Sequence, residues 1–223
     1  MIKAIIFDMD GVLIPAKDWH YHALNQALVQ SGIPSITLEN HQKIYDGLPT
    51  RVKLLKLAEH YGISQAKQEE INALKQKYLE TYIANECVEN AEHVRALRML
   101  KKKYILALAS NSLRHSIETM LGKAGLLTYF DVILSNQDVT EPKPSPEIYC
   151  KTMDLLNIAA DECLILEDSA YGIRAAYASG AHVMVVRDVC DVVLENIEKE
   201  VQLIAVRDGR QLEEDCNEVI SAK

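Results

Sequence analysis

The chain has 223 residues, a formal net charge of −8, and 48% apolar against 25% charged residues. That is ample apolar material for one large domain, or for a core with a smaller inserted one. The acidic balance, with no basic block beyond Lys101-Lys102-Lys103, argues against nucleic acid as a partner.

No run approaches the ~18 apolar residues of a membrane span, and Met1 to Ala4 lead directly into a strand rather than a signal peptide. A cytoplasmic protein with no membrane partner is therefore expected. Cys87, Cys150, Cys163, Cys190 and Cys216 are widely spaced, odd in number and form no CxxC pair. They read as reduced, structural thiols.

In chain order, Ile5-Ile6-Phe7 predicts a strand that opens onto Asp8-Met9-Asp10-Gly11. Branched and aromatic residues favour the strand, and Gly11 permits a tight turn after it. Two carboxylates at such a point can hold a hard cation while one attacks phosphorus and the other moves protons. The same dipeptide is also a common acidic turn.

Residues 18 to about 86 then lack a convincing strand. Helical stripes are expected at Trp19/Ala23/Leu24/Ala27/Leu28, at Val52/Leu55/Ala58 and at Ile71/Leu74/Tyr78/Tyr82, with stops at Gly32 and Gly62. This block reads as a second, all-helical domain over residues 16–87, joined twice to a core made of residues 1–15 and 88–223.

From residue 90 helix and strand alternate. Asn90 caps a helix bearing Val94, Leu97 and Leu100, followed by the buried-strand run 104–109. Ile117, Met120, Leu121 and Ala124 mark a helix ending at Gly125, and Val132–Leu134 a strand. Ser145-Pro146 starts a helix through Leu156, with Ser145 as cap. Strands at 163–166 and 183–186 flank a helix over 173–178 that stops at Gly180. The predicted class is α/β, a Rossmann-like parallel sheet in a three-layer α/β/α core.

Polar groups follow four of these strands: Asp8 and Asp10, Ser110-Asn111, Lys143, and Glu167-Asp168. Parallel strands deliver all of them to one sheet edge, where ligands of open α/β sheets bind. Each has an ordinary alternative. Ser110 would cap a helix, Lys143 between two prolines would be a solvated loop lysine, and Glu167-Asp168-Ser169 would cap the next helix. Together they match phosphoryl transfer, which needs charge neutralised on the equatorial oxygens and a nucleophile held in line.

These segments also resemble the haloacid dehalogenase superfamily of aspartate-nucleophile phosphotransferases. Phe7-Asp8-Met9-Asp10-Gly11-Val12-Leu13, Ala109-Ser110-Asn111-Ser112, Lys143-Pro144-Ser145-Pro146-Glu147 and Leu166-Glu167-Asp168-Ser169 are similar to its four motifs. The helical insert is similar to the cap of the branch containing β-phosphoglucomutase and phosphoglycolate phosphatase.

The resemblance implies Asp8 as nucleophile and Asp10 as general acid and base. It implies Ser110 and Lys143 as phosphate ligands with Asn111 nearby, and Mg2+ on Asp8, Asp168 and the Asp10 carbonyl, with Glu167 a possible outer-sphere partner. His20, Gly47 and Arg51 of the cap are implied as substrate contacts, and Arg114 and His115 as weaker ones. Pro15-Ala16 and Asp46 depart from the family pattern. Asp46 stands where mutase relatives offer lysine, which favours hydrolysis of a monophosphate over mutase chemistry.

The expected activity is a Mg2+-dependent phosphatase acting on a small phosphomonoester, a sugar phosphate first among the options. The alternatives are a β-phosphoglucomutase-like sugar phosphomutase and a non-catalytic phospho-ligand-binding domain. The expected partner is a small-molecule phosphate ester, and a monomer is compatible with the sequence.

Overall fold

The computed structural model describes residues 1–221, with side chains placed through residue 209. Five parallel strands form one sheet: β1 (Ala4–Phe7), β2 (Ile105–Ala109), β3 (Val132–Leu134), β4 (Cys163–Glu167) and β5 (His182–Val185), in the order β3-β2-β1-β4-β5. The chain winds outward through β2 and β3, then returns to β1's other side for β4 and β5. The order therefore reverses between β1 and β4, which opens a crevice at the carboxyl ends of those two strands.

The strands are apolar on both faces, as the unbroken runs require. Their alternation divides the core in two. Ile5, Phe7, Leu106, Leu108, Leu164 and Leu166 pack on one side with helices α5 (Ala91–Leu100), α6 (Arg114–Lys123) and α9 (Leu194–Ser221). Ala4, Ile6, Ala107, Ala109, Cys163 and Ile165 pack on the other with α7 (Glu147–Leu156) and α8 (Ala170–Ala178). Successive side chains point to opposite faces, so a single strand supplies both layers.

Between β1 and α5 lie only helical elements among the described residues. They are α1 (Lys17–Gln30), α2 (Leu38–Asn40) continuing into a π-helical turn at His41–Tyr45, α3 (Thr50–Tyr61) and α4 (Gln65–Glu86). Leu24, Leu28, Ile36, Leu54, Leu57 and Ile71 form a separate apolar cluster there. Trp19, Ala23, Leu79 and Ile83 join the cluster under the sheet.

The expected stripe on α1 is the buried one. Those on α3 and α4 are displaced. α3 buries Lys53, Leu54 and Leu57 and exposes Leu55, while α4 buries Ile71, Lys75, Leu79 and Ile83. Each true inner face carries a lysine, which broke the apolar pattern used to find it.

Local signals elsewhere behave as their chemistry dictates. Asn90 Oδ1 accepts from the Glu92 and His93 amides at 3.0 and 3.4 Å. Gly62 closes α3 in the left-handed region at φ 65°. Ser145 Oγ accepts from the Glu147 amide, but Pro146 rather than Ser145 holds the cap position of α7.

Cys87 and Cys163 are buried, Cys150 is half-buried and Cys190 exposed, all unpaired. Burial pushes the Cys163 thiol up to about 12. The Cys216 side chain lies outside the described residues. Among the described residues, no helix is long and apolar enough to cross a membrane.

Candidate active site

Asp8 stands one residue past β1, its amide donating to the Leu166 carbonyl at 3.0 Å, so the first and fourth motifs are stitched together by backbone. Lys143, 1% exposed, reaches in from the loop after β3. Its Nζ donates to Asp8 Oδ1 and Glu167 Oε1, both at 2.6 Å, and to the Ala109 carbonyl at 2.9 Å. All three ammonium hydrogens therefore have protein acceptors, and the ring of Tyr149 lies 4.7 Å from the nitrogen. Burial would discharge this lysine, but Asp8 and Glu167 hold its pKa above the ordinary range.

Glu167 is fully buried and fully engaged. Its Oε1 takes Lys143 and the Tyr149 hydroxyl; its Oε2 takes the amides of Asp168 and Ser169 at 2.8 and 3.0 Å and the Ser169 hydroxyl. Burial alone would raise its pKa; Lys143 and these donors hold it below the usual carboxylate range. Gly172 makes this seat possible, since a Cβ there would lie 1.7 Å from Glu167 Oε1.

Asp168 is the opposite case. Neither of its buried carboxylate oxygens has a hydrogen-bond partner, although Lys17 Nζ stands 2.5 Å from Oδ2 as an ion pair. Burial lifts its pKa to about 6; Lys17 pulls it down, while Glu167 and Asp46 push further up. Asp8 is also raised well above the carboxylate range, by burial first and by Glu167, Asp168 and Asp10, against the pull of Lys143.

Ligand atoms of Asp8, Glu167 and Asp168 lie within 4.8 Å of one another. A crowded acidic set, with an Asp168 carboxylate whose one neighbouring cation among the described residues is Lys17, suits a hard divalent cation bound through oxygen. Within that set Glu167 has no acceptor capacity to spare, which leaves Asp8 and Asp168 as the side chains able to ligate. Gly11, at φ 93°, keeps the corner open, because a Cβ would come 1.9 Å from Asp168 Oδ2.

Asp10 faces the helical insert. Ser112 Oγ donates to its Oδ2 at 2.6 Å, and His20 Nε2 stands 3.3 Å from Oδ1, an ion-pair distance without good hydrogen-bond alignment. Lys75 Nζ is 3.0 Å from His20 Nδ1 on the ring's far side. Burial would raise Asp10; His20, Ser112 and Lys75 together hold it below the carboxylate range. His20 itself is lowered, by burial and then by Lys75.

The Ser110 hydroxyl accepts from the Ser112 amide at 3.0 Å, which leaves its own hydrogen free to donate into the cavity. Asn111 is more committed. Its Nδ2 donates to the Gly47 carbonyl at 2.8 Å and its Oδ1 accepts from the Lys143 amide, so it ties the insert to the lysine loop. Gly47, at φ 74°, packs where a Cβ would meet Ser169 Oγ at 2.7 Å.

These groups line a cavity of about 320 Å³. Asp8, Asp10, Ser110, Asn111, Lys143, His20, Gly47 and Arg51, all singled out in the sequence, are on its wall. Asp168 lies behind that wall, joined to Lys17. Arg114 is held elsewhere by Asp138 at 2.7 Å, and neither it nor His115 lines the cavity.

Sequence reading missed Lys17, Lys53, Lys75, Ser112, Asn72 and Gln76, which also line it. Lys53 and Lys75 were legible as lysines spaced four residues from Leu57, Ile71 and Leu79. Lys17 was legible as the first cation after the nonconforming Pro15-Ala16. Asp46, the position that favours hydrolysis of a monophosphate over mutase chemistry, has cations beside it. Asp46 pairs with Lys17 at 3.6 Å, and two other lysines face the cavity.

Carboxylates and a lysine gather at the switch point of a parallel sheet, beneath a helical insert. A profile of the haloacid dehalogenase-like hydrolases matches residues 5–186, and the chain belongs to that family. It is 32% identical over 182 residues, 80% of this chain and 82% of the relative, to the phosphorylated carbohydrates phosphatase of Thermotoga maritima. It is 29% identical over 180 residues, 80% of this chain and 82% of the other, to the phosphoglycolate phosphatase of Aquifex aeolicus. The crystal structure of β-phosphoglucomutase from Clostridium difficile superposes with a TM-score of 0.80, covering 92% of this chain and 100% of that one at 23% identity, and so shares its fold.

Proposed function

We propose that this haloacid dehalogenase-like phosphatase hydrolyses a small phosphomonoester, a sugar phosphate first among the options, through an aspartyl-phosphate on Asp8. The observation that carries the reading is the buried Asp8 carboxylate, held by Lys143 at 2.6 Å on the floor of a cavity that also presents the Ser110 hydroxyl. A carboxylate oxygen so fixed loses little entropy on reaching an in-line geometry.

Asp8 attacks phosphorus, and the ester oxygen departs with a proton that Asp10, entering this half in its protonated form, delivers. Asp10 then takes a proton from water, which attacks the acyl-phosphate and releases inorganic phosphate with Asp8 restored. The neighbours that keep Asp10 ionised suit it to the second half, and His20 and Ser112 hold its two oxygens in place for both. Ser110 and Lys143 neutralise the transferring group. Mg2+ held by Asp8, Asp168 and the Asp10 carbonyl would supply the remaining positive charge. Glu167 is a positioning residue that fixes Lys143.

Residues 16–87 act as a lid over a core of residues 1–15 and 88–223. Asn111 to Gly47 and His20 to Asp10 are its closing contacts, and they exclude bulk water during the acyl-phosphate stage. Arg51 stands at the rim. The setting we propose is cytoplasmic, with a small-molecule partner.

The test is phosphate release from a panel of sugar phosphates and small phospho-acids, with Mg2+ and with chelator. Asp8→Asn should lose at least ~10³-fold, because the covalent route is gone. Hydrolysis that survives this substitution, or survives chelation, overturns the assignment. A mutase would instead interconvert hexose phosphates without net phosphate release, and the same panel separates the two.

A further inference from the structure

Asp168 carries the oxygens that the acidic corner leaves for a cation, and a cation of the protein already stands against one of them. Lys17, the first residue of α1, sets its Nζ 2.5 Å from Asp168 Oδ2. The same Nζ is 3.6 Å from Asp46 Oδ2. One ammonium thus lies between a carboxylate of the core whose side chain is 1% exposed and a half-buried carboxylate of the insert. It is close to the first and at the outer limit of contact with the second.

Both ends of this arrangement are built. A Cβ on Gly11 would come 2.5 Å from Lys17 Cε as well as 1.9 Å from Asp168 Oδ2, so that glycine opens the lysine's path. Asp46 follows the π-helical turn, donates its amide to the His41 carbonyl at 2.8 Å, and precedes Gly47, whose carbonyl accepts from Asn111. Lys143, by contrast, has all three hydrogens engaged in the floor of the site. Lys17 is 38% exposed at its side chain and so has room to move. An ammonium and a divalent ion repel strongly at a corner shielded from water, and they cannot share one carboxylate oxygen.

We propose that Lys17 is a positioning residue that competes with the metal for Asp168. It balances Asp168 when the corner lacks a divalent ion, yields that oxygen as the ion enters, and closes onto Asp46. Metal loading is thereby coupled to the loop at residues 45–48, where the insert meets Asn111. The inference rests on the Mg2+-dependent phosphatase reading and adds to it a residue that sets metal affinity.

Calorimetric titration of the full-length protein with MgCl2 reads the competition without substrate. Lys17→Met removes the competitor and should tighten Mg2+ binding at least ~10-fold. Asp46→Asn removes the lysine's alternative partner and should weaken binding by ~3-fold or more. The double variant should bind as Lys17→Met does, because Asp46 acts through the lysine. Unchanged or weaker binding in Lys17→Met overturns the proposal, and so does an Asp46→Asn loss of equal size with Lys17 absent.

Hydrogen exchange of the parent protein covers the case in which a variant fails to fold. Saturating Mg2+ should slow exchange of the amides at residues 45–48, and binding that leaves them unchanged overturns the coupling. Phosphate release from the ester panel separates the two readings. Hydrolysis without the expected affinity changes removes the role of Lys17 and leaves the phosphatase standing. The expected changes with no hydrolysis of any ester support Lys17 and overturn the phosphatase, while absence of Mg2+ binding in parent and variants overturns both.

Discussion

Replacing Glu167 by Gln tests the buried network most sharply, because it changes charge and almost nothing else. Five donors converge on that carboxylate: Lys143 Nζ and Tyr149 Oη on one oxygen, the Asp168 and Ser169 amides and the Ser169 hydroxyl on the other. A glutamine has one oxygen and one NH2 to offer. If its oxygen faces the two amides, its NH2 confronts Lys143, which cannot accept. If it faces Lys143, the NH2 confronts two backbone N–H groups that cannot turn away.

Either orientation loses at least two hydrogen bonds, one of them charge-assisted, at ~1.5–3 kcal/mol for a bond to a charged group. It also removes half of the negative charge that balances a fully buried lysine. The expected destabilisation is about 3–5 kcal/mol, the range for breaking a buried ion pair. For a chain of this size that lowers Tm by roughly 6–20 °C.

The released Lys143 should also shift against Asp8, cutting kcat by at least ~10²-fold with a smaller change in KM. Thermal unfolding followed by circular dichroism, beside steady-state phosphate release, reads both effects. A variant melting within ~1 °C of the parent with kcat intact would refute the view that Glu167 holds the lysine in place.

Further tests follow from individual contacts. Gly172→Ala places a methyl on the Glu167 carboxylate and should imitate Glu167→Gln in both Tm and kcat, to a lesser degree if the start of α8 yields; unchanged melting would contradict the contact. Lys53→Met should raise stability at neutral pH. The lysine's folded pKa, about 8, lies below the ordinary lysine value of 10.5 because burial disfavours the ammonium. The stability it contributes is therefore complete above pH 10.5 and lost as pH falls through 8, by no more than about 3 kcal/mol. The variant's advantage should be largest near pH 7 and fade towards pH 10.5, and a pH series of chemical denaturation checks that sign. Dithiothreitol should leave activity within ~2-fold, because Cys163 is buried and the cysteines described are unpaired; strong thiol dependence would oppose this.

The sheet was readable because its strands obey one simple rule. Ile5-Ile6-Phe7, residues 104–109 and Cys163–Leu166 are apolar on both faces, and their polar ends follow at once, so strand order was enough to gather Asp8, Ser110, Lys143 and Glu167. The lid was harder. On α3 the residues Val52, Leu55 and Ala58 make a plausible stripe, yet Leu55 is exposed and Lys53 is inside. Periodicity places lysine on the wet side by default, and it fails where a fold buries charge. Saturation was hidden as well. That Glu167 spends every lone pair on the protein while Asp168 spends none on a hydrogen bond follows from loop geometry, which adjacent letters in a sequence do not encode.

The insert keeps its own apolar centre around Leu24, Leu28, Leu54, Leu57 and Ile71, apart from the two layers against the sheet. On the proposed reading, recognition and reaction thus draw on partly separate apolar centres. On that reading, exchanging α3 for that of another lineage would retune which molecule is admitted, whereas α4 is anchored under the sheet by Leu79 and Ile83. Evolution or a protein engineer can vary the one at little risk to the other.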